Sequence, residues 1–292
     1  MFARIFLSPQ ETRLRAGWRI LAHFLLLSIL GALAAALLAR AALLAPQFGF
    51  LAGQAAYLVA ITLATYLARR WFDRRSFTSL GLVWNRQAAL DLLVGMLLSG
   101  LQMGLVFGIE WVFGWLSIEQ FAWSFSHPGA ILGQLGQLFL VFILVGWQEE
   151  LLSRGYWLQN LEAGLKLPLA LIVSSVLFAL GHLFNPNVSF LAILGLIAAG
   201  LFLAYGYVST RQLWLAIGLH IGWNFFEGPV FGFPVSGIDG FFHLLELNRS
   251  GPILLTGGPF GPEAGLIQYP ILLLSAWIIQ RYSRGRIKPR QP

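Results

Sequence analysis

The sequence predicts an all-α fold: a polytopic transmembrane helix bundle of about eight spans with both termini cytoplasmic. Three observations carry that expectation. The composition is 58% hydrophobic and only 11% charged, against about 25% charged in a soluble domain. Mean hydropathy is +0.74. The apolar residues fall into successive runs, each long enough to approach the ~20 residues that cross a ~30 Å hydrocarbon core.

Taken in order, the first run is Trp18 to Ala45, behind Arg4, Arg13, Arg15 and Arg19. Basic residues before an apolar stretch suit either a signal peptide or an anchor. This run far exceeds the 7–15 residues of a signal core, so a retained first span is expected. Further runs lie near Phe48–Ala68, Leu90–Leu116, Gly129–Leu158, Leu167–Phe184, Phe190–Val208, Leu213–Glu227 and Gly265–Tyr282. Most connections are short. The exceptions are a charged Arg70–Ala89 loop and a Gly- and Pro-rich Gly228–Ala264 segment, which reads as either a lid or a passive loop.

The basic residues support the count, because Lys and Arg concentrate on the cytoplasmic side of membrane proteins. Of 19, 16 fall in alternate connections or at the termini. Arg40 and Arg249 are assigned to the opposite side and Arg154 to the membrane. The net charge of +7 is therefore a topology signal, and no nucleic-acid partner is expected. Cysteine is absent, which excludes disulfides, Cys-based metal sites and a Cys nucleophile. No internal repeat is visible. One membrane domain is expected over 1–292: accessory spans over 1–128, a catalytic core over 129–228, and an external loop with a last span over 229–292.

Charged groups inside a span cost about 2.5–3.5 kcal/mol each on insertion scales, so those retained are usually paired or functional. Glu149, Glu150 and Arg154 lie in the fourth run. Glu150 and Arg154 are four apart on one helical face and can neutralise each other. Glu149 is turned about 100° away, free to face a cavity, where a carboxylate suits general acid/base work. Ordinary surface charges at a helix end are the plainer reading. His182 lies at the end of the fifth run, and His220 and Asn224 share a face of the seventh. Each has a packing explanation, a hydrogen-bonded core histidine and a polar helix-to-helix contact. Together they supply what hydrolysis by an activated water requires: a base and a histidine for the water, and two donors for the oxyanion.

Glu149-Glu150-x-x-x-Arg154, Phe178-x-x-x-His182 and His220-x-x-x-Asn224, in this order, resemble the three motifs of the CPBP intramembrane peptidases (CAAX-protease and bacteriocin-processing, or Abi-type). The resemblance covers roughly Leu132 to Phe226. It implies an endopeptidase in which Glu149 and His182 activate water, His220 and Asn224 hold the oxyanion, and Glu150 and Arg154 form a supporting ion pair. Members of the family trim prenylated CAAX proteins, and they have been described both as metalloproteases and as metal-free, glutamate-dependent enzymes. No His-Glu-x-x-His is present. The expectation is no cofactor, with zinc on Glu149, His182 and His220 as the alternative.

The expected setting is a bacterial cytoplasmic membrane, with membrane lipid and a protein or peptide substrate, lipidated or not, as partners. His23, His127 and His243 are expected to be incidental, and Glu110 and Glu227 to pack against polar neighbours. The eleven Trp suit interfacial belts. Neither Gly-x-Ser-Gly nor Gly-x-Gly-Asp occurs, which argues against rhomboid and presenilin types. Two other classes fit the pattern: a transporter using Glu149 and the histidines as an ion path, and a non-enzymatic scaffold or immunity factor.

Overall fold

A computed structural model describes residues 6–8, 13–44 and 49–286. The expectations for Arg4, Lys288, Arg290 and the two termini, and the run edges Ala45 and Phe48, lie outside the described residues.

The chain is mostly helical. In order come α1 (Ala16–Leu44), α2 (Gly49–Trp71), α3 (Arg86–Val112), strand β1 (Leu116–Phe121), α4 (Pro128–Glu150), α5 (Leu158–Gly164), α6 (Leu167–Leu180), α7 (Phe190–Thr210), α8 (Trp214–Phe225), strand β2 (Leu245–Arg249), α9 (Ile253–Thr256) and α10 (Gln268–Tyr282). A π-helical turn, Leu151–Trp157, joins α4 to α5 without a break, and another, Phe226–Val230, extends α8.

Among the described residues, five helices are long and apolar enough to cross a membrane: Ala16–Arg40, Leu51–Trp71, Arg86–Val112, Pro128–Gly164 and Phe190–Thr210. α6, α8 and α10 have only 14, 12 and 15 residues. The fourth helix runs well past its expected end at Leu158, because the π turn widens the coil without ending it.

Local sequence sets the ends. The Asn85 side chain accepts from Ala88 N at 2.9 Å and Ser189 from Ala192 N at 3.1 Å, satisfying first-turn amides at α3 and α7. Pro128 and Pro168 stand in the first turns of α4 and α6, where a missing N–H costs nothing.

The closest helix contact is α3 against α8. A Cβ on Gly95 would stand 2.6 Å from the Leu215 carbonyl oxygen, and one on Gly222 2.7 Å from Met96 Cα. Small residues let membrane helices approach to backbone contact, and this fixes α8 and the polar residues it carries.

The basic connections meet at one end. Arg19 and Arg69 both bind buried Asp73, at 2.9 and 2.8 Å. Arg211 binds Glu162 at 2.8 Å, and Arg286 binds Asp91 at 2.6 Å. At the other end the structure departs from an all-α fold: β1 and β2 form a two-stranded antiparallel ribbon, Leu116 opposite Arg249 and Phe121 opposite Leu245. β1 falls partly in the run expected to continue as helix to Leu116.

Candidate active site

Glu149 and Glu150 are the last residues of α4, and Arg154 lies inside the π turn that follows. π turns recur at functional sites because they re-aim side chains. Here Glu150 turns into the protein and Glu149 toward His182 and His220, with side-chain exposures of 0% and 29%.

Arg154 Nη1 donates to Glu150 Oε1 at 2.6 Å, and Nη2 to the Gly200 carbonyl at 3.0 Å. Its guanidinium also lies 4.3 Å from the centre of the Phe178 ring, a desolvated cation–π contact. His220 Nδ1 donates to the same Glu150 Oε1 at 2.8 Å. One buried carboxylate oxygen thus serves two donors on different helices.

His182 lies two residues past the end of α6, in the turn that follows it. Its Nδ1 is 2.9 Å from the Phe178 carbonyl. A carbonyl only accepts, so Nδ1 carries the proton and Nε2 presents a lone pair. The Nε2 atoms of His182 and His220 are each 3.8 Å from Glu149 Oε2. That is too long for a direct hydrogen bond, so the three groups converge on one point without closing on each other.

Asn224 is buried one turn beyond His220 on α8. A small cavity is lined by His182, His220, Asn224, Phe178 and apolar side chains of α7 and α8, with Ser99 of α3. The residues of the three motifs are therefore brought together: His182, His220 and Asn224 line the cavity, Glu149 stands beside the two imidazoles, and Glu150 and Arg154 bind behind them.

Residues 131–226 match the family model described as Type II CAAX prenyl endopeptidase Rce1-like. This segment is similar to the Rce1-like domains of the CAAX protease family. It spans about a third of the chain and contains all three motifs. The matched stretch runs from α4 through α8, and the family it resembles is a protease family. No curated protein and no solved structure matches the chain.

The other histidines have structural explanations. His23 Nε2 is 3.1 Å from Thr65 Oγ1 and its ring stacks on Tyr156 at 4.2 Å. His127 Nδ1 caps α4 through Gly129 N at 3.2 Å, and His243 lies 2.7 Å from Glu246. Glu227 is buried against polar neighbours, Trp223 and Glu263, as expected, although neither carboxylate oxygen meets a donor in close hydrogen-bonding geometry. Glu110 is buried too, with Oε1 unpaired.

Two cavity residues escaped the sequence reading. Ser236 and Glu263, from the segment after α8, line the same cavity, and Ser236 Oγ donates to Glu263 Oε2 at 2.6 Å. Lying in a stretch read as loop, neither had a helical face to mark it.

Among the described residues, no three His, Asp or Glu side chains converge closely enough to hold a metal ion. Glu149, His182 and His220 come nearest, but tetrahedral zinc would draw its donor atoms to about 3.4 Å from one another, inside the 3.8 Å separations from Glu149 to the two imidazoles.

Proposed function

We propose that the protein is an intramembrane endopeptidase of the bacterial cytoplasmic membrane, cleaving membrane-associated proteins or peptides, lipidated or not, with a water held by Glu149 and His182. One observation carries the reading: Glu149 Oε2 is 3.8 Å from Nε2 of both His182 and His220.

In this mechanism the water donates one hydrogen bond to Glu149 and one to the lone pair on His182 Nε2. Glu149 removes the first proton as the oxygen attacks the scissile carbonyl carbon, and the carbonyl π electrons move onto oxygen. The oxyanion is held by Asn224 and by His220, whose second proton is on Nε2. A histidine protonated at both nitrogens is supported by Glu150, which accepts from its Nδ1 at 2.8 Å. Collapse of the intermediate breaks the C–N bond, and the leaving amine takes the proton from Glu149. Removing one oxyanion donor costs about 10²–10³ in rate in known cases.

The bundle would contain eight spans, the short α6, α8 and α10 among them, with the end that gathers Arg19, Arg69, Arg211 and Arg286 facing the cytoplasm.

The test is hydrolysis of a fluorogenic peptide library by protein in nanodiscs, comparing wild type with Glu149→Ala and His220→Ala, each with and without chelator. Cleavage lost in both variants and kept with chelator is the expected result. Loss with chelator in the wild type would move the mechanism to zinc. Cleavage that survives Glu149→Ala would remove the water-activation reading.

A further inference from the structure

A second cavity, of about 460 Å³, lies at the ribbon end of the bundle. It shares no lining residue with the cavity beside the three motifs, and the hydrolytic mechanism makes no use of it. Its volume falls within the roughly 300–1,000 Å³ of small-molecule sites.

Its walls carry opposite charges that do not meet. Glu110 stands in the last turn of α3, only 1% exposed, and its Oε1 has no donor. Arg249, the last residue of β2, lines the same space and is near enough for its charge to act on Glu110. Among the described residues its ion pair is instead a long one, 3.4 Å to the exposed Asp239. The backbone that carries both groups is tied into one frame. Trp115 N donates to the Glu110 carbonyl at 2.8 Å, Ser250 N donates to the Trp115 carbonyl at 2.8 Å, and Arg249 is paired opposite Leu116 in the ribbon.

Glu110 is also at the negative end of its helix, where a cation is favoured and a carboxylate is not. Burial without a donor adds to that cost. A positive group beside Glu110 would relieve both, and a negative group beside Arg249 would replace its long contact to Asp239. Glu119, exposed on β1, adds to the acidic side, and Trp115, Phe233 and Ile253 supply apolar wall.

We infer that this cavity is a binding site for a small zwitterion, a primary ammonium next to a carboxylate or phosphate, with the ammonium on Glu110 and the anion on Arg249. Two sources carry that chemistry: an amino acid or short peptide in solution, and the headgroup of an ethanolamine phospholipid. The inference is independent of the peptidase reading, because the site is separate and its test reads binding.

Calorimetric titration of the protein in phosphatidylcholine nanodiscs tests it, with alanyl-alanine, its N-acetyl derivative, its C-terminal amide and O-phosphoethanolamine as probes. Removing either charge from the dipeptide should weaken binding by about tenfold or more, the lower range measured for close charge pairs. Glu110→Gln should bind alanyl-alanine and its acetyl derivative alike, and Arg249→Gln should bind alanyl-alanine and its amide alike. Each comparison is made within one preparation, so partial loss of folded protein does not enter it. Phosphatidylethanolamine added to the discs separates the sources. If it competes with the soluble probes in wild type, the lipid headgroup occupies the site, and if it does not, the soluble zwitterion is the ligand; both outcomes keep the inference. Equal binding of the charged and blocked dipeptides to wild type overturns it, a result that needs no variant to fold. So does a wild type that binds neither alanyl-alanine nor O-phosphoethanolamine at millimolar concentration, or a charge preference that survives in Glu110→Gln.

Discussion

Glu150 holds two donors on one buried oxygen, and its replacement separates stability from chemistry. Glu150→Gln removes the negative charge between Arg154 and His220. Breaking a buried ion pair by deleting one partner costs about 3–5 kcal/mol. Arg154 keeps the Gly200 carbonyl and the Phe178 ring, and a desolvated cation–π contact is worth about 2 kcal/mol, so the loss should lie near the lower limit, about 3 kcal/mol. Neutral polar contacts between membrane helices average only about 0.6 kcal/mol, which makes the two cases separable in a denaturant titration. Glu150→Gln/Arg154→Met removes both charges, and replacing a whole buried pair by apolar groups is often neutral. The double variant should therefore recover most of the stability lost by Glu150→Gln. Its hydrolysis rate should stay about 10²–10³ below wild type, because His220 still lacks the carboxylate that keeps its second proton for the oxyanion. A double variant that regains both stability and rate would refute the role given to Glu150. One that regains neither would place the cost in packing.

The glycine contact between α3 and α8 should tolerate no side chain. Gly222→Leu would drive carbon into Met96, and is expected to lower the unfolding midpoint sharply and abolish hydrolysis by displacing His220 and Asn224. Gly108→Ala on α3, where a Cβ meets nothing within 4 Å, should leave both within experimental error. His23→Phe keeps the stack on Tyr156 and loses only the contact to Thr65, so hydrolysis should stay within about twofold of wild type and stability within about 1.5 kcal/mol; a large loss of rate at unchanged stability would give His23 a part in the chemistry.

Much of the bundle is legible in the sequence because hydropathy and basic residues report directly on the bilayer. Trp18 to Ala45 and Phe190–Val208 anticipate α1 and α7 closely, while β1 and β2 do not announce themselves. Leu116–Phe121 begins beside an apolar run and Leu245–Arg249 sits among Gly and Pro, so neither segment has a pattern of its own. Their pairing joins residues more than a hundred positions apart, and only the folded bundle brings them together. The same reason hides Ser236 and Glu263. A motif that repeats on one helix face can be read from spacing, whereas a carboxylate delivered by a loop becomes visible only where the loop docks.

The depth of His182 shows how one helix boundary changes a chemical reading. With the fourth helix ending at Leu158, Glu149 would lie nine residues from the connecting turn and His182 fifteen, about 9 Å out of step at 1.5 Å per residue. The π turn carries the helix on to Gly164, and α6 begins at Leu167. Glu149 is then fifteen residues before Gly164 and His182 fifteen after Leu167, so the two stand about 22 Å from the same turn. Two antiparallel helices joined by a tight turn bring residues equidistant from it to one level. The extended fourth helix thus brings Glu149 to the level of His182, with Oε2 and Nε2 3.8 Å apart, and α6, at about 21 Å, ends just before His182.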